Sequence, residues 1–265
     1  MKKVYLFTLL CICSVFFPVH MVSPADTDVN WGDEIFLGKM GPGQTIYIEM
    51  NPWVYSEDEY KGHYDLMLAY DLPEGWKSTE SKLYEDPMQI TITSFNLEKE
   101  GTYPIKIKII DEDGAENIGD IEFTGKIEIL HDIMDVNIEP EKISTGAGQP
   151  ARFYITVVNK GLASDVFEIR TENTLRWNFK KVVYVPEMSS KTIVYEIVEN
   201  EQEKFNPIII VESKSSKLII EKHDLELDVN TNLFNDFKAV NHGTVIFPIL
   251  QEPIFALMGI LSNLW

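Results

Sequence analysis

The segment Asn51–Asp65, NPWVYSEDEYKGHYD, holds the side chains best suited to binding a ligand. It places Trp53, Tyr55, Tyr60 and Tyr64 among acidic residues. Aromatic rings with polar tips serve sugar and protein recognition, and loops on rigid scaffolds often carry binding residues. A long loop also needs aromatic side chains to pack against its own scaffold. The segment therefore predicts a ligand-binding site at the four aromatic residues, with loop packing as the alternative.

Metal-binding patterns in the sequence are incomplete. Asp111–Asn117, DEDGAEN, has the acid spacing of a calcium loop but lacks the rest of the twelve-residue ligand pattern, and its Asp-Gly pair is typical of a hairpin turn. Asp228–Asn232, DVNTN, is followed by leucine where such a loop requires glycine. No histidine pair has a ligand spacing such as His-x3-His. We predict neither a metal site nor a cofactor.

The sequence also lacks the motifs of common catalytic sites. It contains no Gly-x-Ser-x-Gly element and no phosphate-cradling glycine loop. A hydrolase with a pair of carboxylates remains an alternative, but 42 acidic residues make chance pairs common, and sequence cannot place two of them together. We therefore predict a protein that is not an enzyme and assign no catalytic residue.

The elements that must position the aromatic segment are strands. Between residues 25 and 230 the apolar residues occur in short runs with a period of two, such as TIYIEM, MQITITSF and RFYITVV, separated by Gly, Pro, Asn and Asp. No segment of comparable length has helical spacing. The pattern predicts an all-β protein.

The strand pattern occurs twice. GPGQ at 41–44 returns as GAGQ at 146–149, YPIKIKI around Pro104 returns as NPIIIVE around Pro207, and tryptophans recur at Trp76 and Trp177. Each copy has about seven strands in ~100 residues, the size of an immunoglobulin-like sandwich. We predict tandem sandwiches over 26–133 and 134–230. Trp76 and Trp177 are expected in their cores, with exposed sugar platforms as the alternative.

These residues also resemble a known module. LPEGWKS followed by DPMQITITSFNLEKEGTYPIKIKI, and later GQPARFYITVVNKGLASDVFEI, are similar to the alpha-galactosidase-associated (NPCBM-associated) Ig-like module and the related CARDB type found in archaeal and bacterial surface proteins. The second copy departs from the pattern, with LRW in place of PEGW. The resemblance implies a spacer, scaffold or adhesion module and carries over no catalytic residue.

The N-terminal residues resemble an export signal. Two lysines precede an apolar run from Val4 to about Val19, and small residues follow at Ser23–Ala25. We predict a signal peptide over residues 1–25, with an uncleaved anchor as the alternative. Cleavage would remove both cysteines of the chain and with them disulfides, thiolate metal sites and a cysteine nucleophile. The formal net charge of −19 disfavours nucleic acid as a partner.

The chain ends in an apolar tail, residues 231–265. Its last thirteen residues, from Pro253, would form a helix of about 20 Å, too short for a hydrocarbon core of ~30 Å. Shallow membrane insertion, docking on another protein and folding back on the sandwiches all remain open. The residues predicted to dock are Phe247, Ile254, Phe255, Leu257, Met258, Ile260, Leu261, Leu264 and Trp265.

Together these features predict an exported, non-enzymatic cell-surface protein. Its tandem Ig-like modules would act as a spacer, adhesion or assembly scaffold, held at the membrane surface or at a membrane-bound protein by the tail. The alternative is a carbohydrate-binding module that uses the aromatic segment 51–65, so a cell-surface glycan or protein is the expected ligand.

Overall fold

The fold is all-β throughout the residues that the computed structural model describes, which are 18–56, 59–112, 118–174 and 179–230. Within those ranges no helix is long and apolar enough to cross a membrane. The alternation predicted from the sequence is visible in the burial of the strands, where every second side chain is buried.

The first sandwich contains eleven strands among the described residues. They are β1 (Val19–Ser23), β2 (Thr27–Val29), β3 (Glu34–Met40), β4 (Thr45–Met50), β5 (Trp53–Ser56), β6 (Glu59–His63), β7 (Leu66–Tyr70), β8 (Lys77–Thr79), β9 (Met88–Thr93), β10 (Gly101–Ile110) and β11 (Ile121–Ile129). One sheet has the order β2-β1-β4-β9-β8 and the other β3-β11-β10-β7, while β5 and β6 form a separate hairpin. Both sheets contribute fully buried side chains, for example Ile48 from β4 and Phe123 from β11.

The second sandwich follows directly along the chain. Its strands are β12 (Met134–Glu139), β13 (Lys142–Thr145), β14 (Pro150–Asn159), β15 (Asp165–Glu172), β16 (Lys181–Val185), β17 (Ser190–Val198), β18 (Lys204–Phe205), β19 (Ile208–Ser213), β20 (Ile220–Asp224) and β21 (Glu226–Val229). A sheet of order β12-β14-β17 and one of order β16-β15-β19-β20 share a core in which Phe153, Phe167 and Val211 are fully buried. A third sheet has the order β13-β21-β18, in which β13 pairs in parallel with β21. Three strands opposite four in ~100 residues is the arrangement of an immunoglobulin-like domain.

The repeated Gly-x-Gly-Gln motif builds the same turn in both copies. The side-chain Oε1 of Gln44 accepts a hydrogen bond from the backbone N–H of Gly41 at 2.7 Å, and that of Gln149 accepts one from Gly146 at 3.2 Å. The intervening glycine has φ of +70° at Gly43 and +73° at residue 148. A positive φ favours glycine, so the motif recurs because this turn opens the strand that follows it.

Strand β1 lies inside the segment predicted as a signal peptide. It sits between β2 and β4, and its side chains Val19 and Met21 are fully buried. A chain cut after Ala25 would therefore lack a central strand of this sheet. The folded sandwich begins upstream of the predicted boundary, while export and cleavage themselves stay predictions.

The chain divides into two compact units that do not follow one sequence boundary. The first contains the described residues up to Leu37 together with Tyr47–Ile92 and Tyr103–Ile127, and the second contains Gly38–Ile46, Thr93–Thr102 and the described residues from 128 onward. Within the second unit the buried carboxylate of Asp165 accepts hydrogen bonds from Gln44 at 2.7 Å, Ser213 at 2.6 Å and Ser215 at 2.8 Å. These bonds satisfy a buried charge with neutral donors.

Candidate functional site: an aromatic hairpin

The aromatic segment forms a hairpin that the second sandwich lacks. Between β4 and β7 the chain inserts β5 and β6, which pair antiparallel from Trp53 opposite His63 to Ser56 opposite Glu59. The equivalent connection in the second sandwich runs directly from Asn159, the end of β14, to Asp165 in β15. A sandwich of this type therefore folds without the insertion, and the hairpin is an addition to the scaffold.

The hairpin and the turn before β9 together form a continuous set of rings, which we call the aromatic cluster. The hairpin contributes Trp53, Tyr55, Tyr60 and His63, and the turn contributes Tyr84. The ring centroids of Tyr55 and Tyr60 lie 6.1 Å apart, those of Tyr60 and Trp53 5.9 Å apart, and those of Trp53 and His63 5.5 Å apart with the planes at 29°. Tyr84 extends the cluster, with its ring 5.8 Å from that of His63. These are the separations of interacting aromatic pairs.

Three rings predicted to bind a ligand are at the surface. Trp53 is 41% exposed, Tyr55 57% and Tyr60 48%. Tyr84, which sequence reasoning missed, is 52% exposed. Contiguous exposed apolar surface of this kind marks interaction sites more often than scattered single residues do.

Tyr64 is placed differently from the other three. Its side chain is fully buried, and among the described residues its hydroxyl is the one buried side-chain nitrogen or oxygen atom with no hydrogen-bond partner. Burial raises the pKa of the Tyr64 phenol, and the nearby carboxylates of Asp111 and Asp120 raise it further. The chain enters the sandwich at this point, where the Tyr64 N–H donates to the carbonyl of Pro52 at 2.9 Å. Tyr64 thus supports the base of the hairpin and does not face a ligand at the surface.

Two carboxylates fix the orientation of the cluster. The indole Nε1–H of Trp53 donates to Oδ2 of Asp86 at 2.9 Å, and Nε2 of His63 lies 3.3 Å from Oδ1 of the buried Asp65. The other oxygen of Asp65 accepts from the backbone N–H of Glu112 at 2.7 Å, and its carbonyl accepts from the N–H of Tyr84 at 2.8 Å. The rings are therefore anchored to the body of the sandwich, which lowers the entropy lost on binding.

The surroundings of the cluster are acidic. Asp65 and Asp86 contribute carboxylates that contact His63 and Trp53, while on β6 the ammonium of Lys61 lies 2.5 Å from Glu59. The hydrogen bond from Lys61, reinforced by its charge, holds the pKa of Glu59 below the ordinary value of 4.5. Two carboxylates, those of Asp65 and Asp86, therefore lie directly beside rings of the cluster.

The structure describes Trp76 but not the second tryptophan of the repeat. Trp76 is 6% exposed, with its ring 5.5 Å from that of Tyr103, so it packs in the core as expected. Trp177, residues 113–117 of the calcium-like segment and the whole predicted docking tail lie outside the described residues. Asp228 of the second acidic segment lies in β21, opposite Ser144 and Lys204.

A group of three carboxylates occurs in the second unit. Asp132, Asp135 and Glu221 bring oxygen atoms within 4.8 Å of one another. The ammonium of Lys160 already bridges Asp132 and Asp135 at 2.9 Å each. An ion pair of this kind accounts for the acidic group without a metal.

Comparison with protein-family models and with curated proteins finds no match. Similar solved structures include a chimeric titin Z1Z2, 10% identical over 82% of this chain and 100% of that chain with a TM-score of 0.33. From the order and pairing of their strands, both sandwiches are immunoglobulin-like. The similar structures also include the D00–D0 domain of intimin, which is 12% identical over 79% of this chain and 96% of that chain with a TM-score of 0.25. A β-glucosidase from Listeria innocua in complex with glucose is 14% identical, with a TM-score of 0.25, over 36% of this chain and only 16% of the glucosidase.

The fold assignment rests on strand order and pairing, because TM-scores in this range carry no functional argument. The all-β tandem architecture predicted from the sequence is confirmed. Ligand binding by the aromatic segment and docking by the tail stay predictions.

Proposed function

We propose that this protein is a non-enzymatic, exported surface protein whose tandem sandwiches act as a spacer, adhesion or assembly scaffold and present the aromatic cluster to a ligand. The observation that carries the proposal is the hairpin itself. It adds exposed, anchored rings to a sandwich type that its neighbour in the same chain builds without any such insertion. Function tends to lie on such additions to a rigid scaffold.

The exposure of the rings favours recognition over packing. A loop that used its aromatic side chains only to pack would bury them, as the chain does with Tyr64. Trp53, Tyr55 and Tyr60 instead keep 41–57% of their surface in solvent. Tyrosine and tryptophan are enriched at protein interfaces because they provide large contact area at small entropic cost.

The finer assignments of the proposal come from the sequence. The modules are of the alpha-galactosidase-associated or CARDB-like type, the N-terminal apolar run directs export, and the tail at 231–265 holds the protein at a membrane or a membrane-bound protein. The apolar composition of the tail, without an intervening lysine or arginine after residue 238, supports this attachment.

Binding of the purified full-length protein to the surface of the cells that produce it tests the recognition function. We expect a Tyr55→Ala/Tyr60→Ala variant to bind about thirtyfold more weakly than the wild type, since truncating two aromatic contacts at about 1 kcal/mol each costs about 2 kcal/mol. Tyr47→Ala is the matched control, because Tyr47 is 53% exposed on β4 and makes none of the ring contacts of the cluster. Equal binding by the double variant would refute the proposal.

Cell fractionation tests the attachment separately. A chain lacking residues 231–265 should leave the membrane fraction and stay folded, whereas the full-length chain should sediment with membranes through a salt wash. Sedimentation of the shortened chain with membranes would show that the tail is not the attachment.

A second candidate function is carbohydrate binding by the same cluster. It is favoured by the exposed, fixed ring of Trp53, which offers a flat apolar surface beside the carboxylate of Asp86. Titration of the full-length protein with neutral oligosaccharides, followed by tryptophan fluorescence, tests it. A response that survives Trp53→Ala would end this candidate.

A further inference from the structure

The aromatic cluster draws on two parts of the chain. Four of its rings come from β5 and β6, while Tyr84 and the carboxylate of Asp86 come from the turn that precedes β9. The turn residue Tyr84 has a φ of +58°, a conformation that is uncommon outside glycine and that places its ring next to His63. The surface is therefore built by tertiary structure, with the carboxylate of Asp86 at the ring of Trp53 and that of Asp65 at the ring of His63.

The charges beside the rings select among ligands. Asp65 and Asp86 face the cluster from the base of the hairpin and from the turn, where they contact His63 and Trp53. The nearby ammonium groups each have a carboxylate partner of their own: Lys61 with Glu59 at 2.5 Å, and Lys82 with Glu85 at 3.6 Å. The whole chain has a net charge of −19. The potential at the cluster is thus negative, which repels phosphate, sulfate and carboxylate ligands and attracts cations.

The rings reinforce this preference. The face of an aromatic ring carries partial negative charge, so ammonium and guanidinium groups bind over it. Trp53 gives the strongest such contact of the natural side chains, and its N–H already donates to Asp86, which places a full negative charge at the edge of the ring. A neutral sugar gains from the ring surface alone, whereas a basic side chain gains from both the ring and the carboxylates.

We propose that the aromatic cluster binds a segment of a partner protein that carries exposed arginine or lysine side chains. The inference deepens the proposed recognition function and rests on it, since it specifies the ligand of the same surface. Guanidinium groups stack on Trp53, Tyr60 and Tyr84, and the carboxylate of Asp86 provides the counter-charge. Electrostatic complementarity then sets the choice of partner more than the total affinity.

Matched peptides test the charge requirement. The probes are a fluorescent peptide of alternating glycine and arginine and a second peptide with citrulline, which has nearly the same shape without the charge, in place of each arginine. Binding to the full-length protein is measured by fluorescence anisotropy at low and high salt. We expect the arginine peptide to bind at least about tenfold more tightly, since several exposed cation–π contacts worth about two- to fivefold each act together. Raising the ionic strength should weaken the arginine peptide only.

Variants locate the binding surface. Tyr60→Ala and Tyr84→Ala should each weaken the arginine peptide about two- to fivefold. Tyr47→Ala should leave binding unchanged, and circular dichroism checks that every variant is folded. Asp86→Asn keeps an acceptor for the indole N–H while removing the charge, so it should lower affinity for the arginine peptide and leave the circular dichroism of the free protein unchanged.

The outcomes separate this inference from the proposed function. Equal affinity for the arginine and citrulline peptides, or no binding of either at millimolar concentration, overturns the basic-ligand assignment. If a neutral oligosaccharide binds instead and is lost in Tyr60→Ala, recognition by the cluster stands and the carbohydrate candidate replaces the basic segment. If the Tyr55→Ala/Tyr60→Ala variant also binds the cell surface as well as the wild type does, both the assignment of a basic ligand and the proposed recognition function are refuted.

Discussion

Strand β1 gives the sharpest stability prediction, because two neighbouring side chains on it have opposite environments. Met21 is fully buried between the sheets, while Val22 is 47% exposed. Truncating a buried methionine to alanine typically costs about 2–5 kcal/mol, whereas exposed substitutions stay within about 0.5 kcal/mol. We therefore expect Met21→Ala to lose a large share of the ~5–15 kcal/mol that stabilises a domain, and Val22→Ala to behave like the wild type.

Urea unfolding followed by tryptophan fluorescence measures both variants, since Trp76 is buried in the first sandwich and packs on Tyr103. With a slope of about 2 kcal/mol per molar urea, the Met21→Ala midpoint should fall by about 1–2.5 M. A chain that begins at Asp26 should lose at least as much, because it lacks all of β1. Equal midpoints for Met21→Ala and Val22→Ala, or full stability of the chain that begins at Asp26, would show that β1 is not part of the folded core.

Four further predictions concern single positions. Tyr64→Phe should leave stability unchanged or raise it by about 1 kcal/mol in urea unfolding, because it removes a buried hydroxyl that has no hydrogen-bond partner. Asp165→Asn should lower the free energy of unfolding by about 1–3 kcal/mol in the same assay, because its amide NH2 would face groups that now donate hydrogen bonds to the carboxylate. Gly43→Ala should lower the melting temperature far more than Gly32→Ala, although both glycines have a positive φ. A Cβ added at Gly43 would lie 2.3 Å from a backbone carbonyl oxygen, whereas one added at Gly32 would meet no atom within 4 Å. Hydrogen bonds from Lys214 and Lys180 hold the pKa of Glu168 below 4.5. The pairing therefore stabilises the fold above pH 4.5, and this stabilisation is lost as the pH falls through the lowered pKa. In Glu168→Gln the free energy of unfolding should consequently fall less steeply between neutral and acid pH.

Much of the scaffold could be predicted from sequence because its signals are local. Alternation with a period of two identifies strands wherever one face is buried, and the burial of β9 and β11 follows that alternation residue by residue. The repeated Gly-x-Gly-Gln turn could be read as structural because only glycine adopts its positive φ without strain. The extra length of Asn51–Asp65 over NKGLASD at 159–165 in the second copy is also visible in the sequence, and it corresponds to the inserted hairpin.

The composition of the aromatic cluster could not be predicted in the same way. Tyr84 and Asp86 join it from a turn well downstream in the chain, and no sequence pattern links them to Trp53. Tyr64 has the same residue type as its exposed neighbours Tyr55 and Tyr60, but the hairpin ends at His63 and the chain turns inward immediately afterwards. Strand β1 was hidden for a different reason, since an apolar run before small residues satisfies an export signal and a buried strand equally well.

Replacing residues 55–61 with Asn-Gly tests most directly whether the hairpin is a recognition surface added to a self-sufficient sandwich. The two-residue turn joins Val54 to Gly62, which are already paired, and removes Tyr55 and Tyr60. We expect the shortened variant to have an unfolding free energy within about 1 kcal/mol of the wild type and to lose binding to the surface of the producing cells. A variant that unfolds, or one that binds the cell surface as well as the wild type, would contradict it.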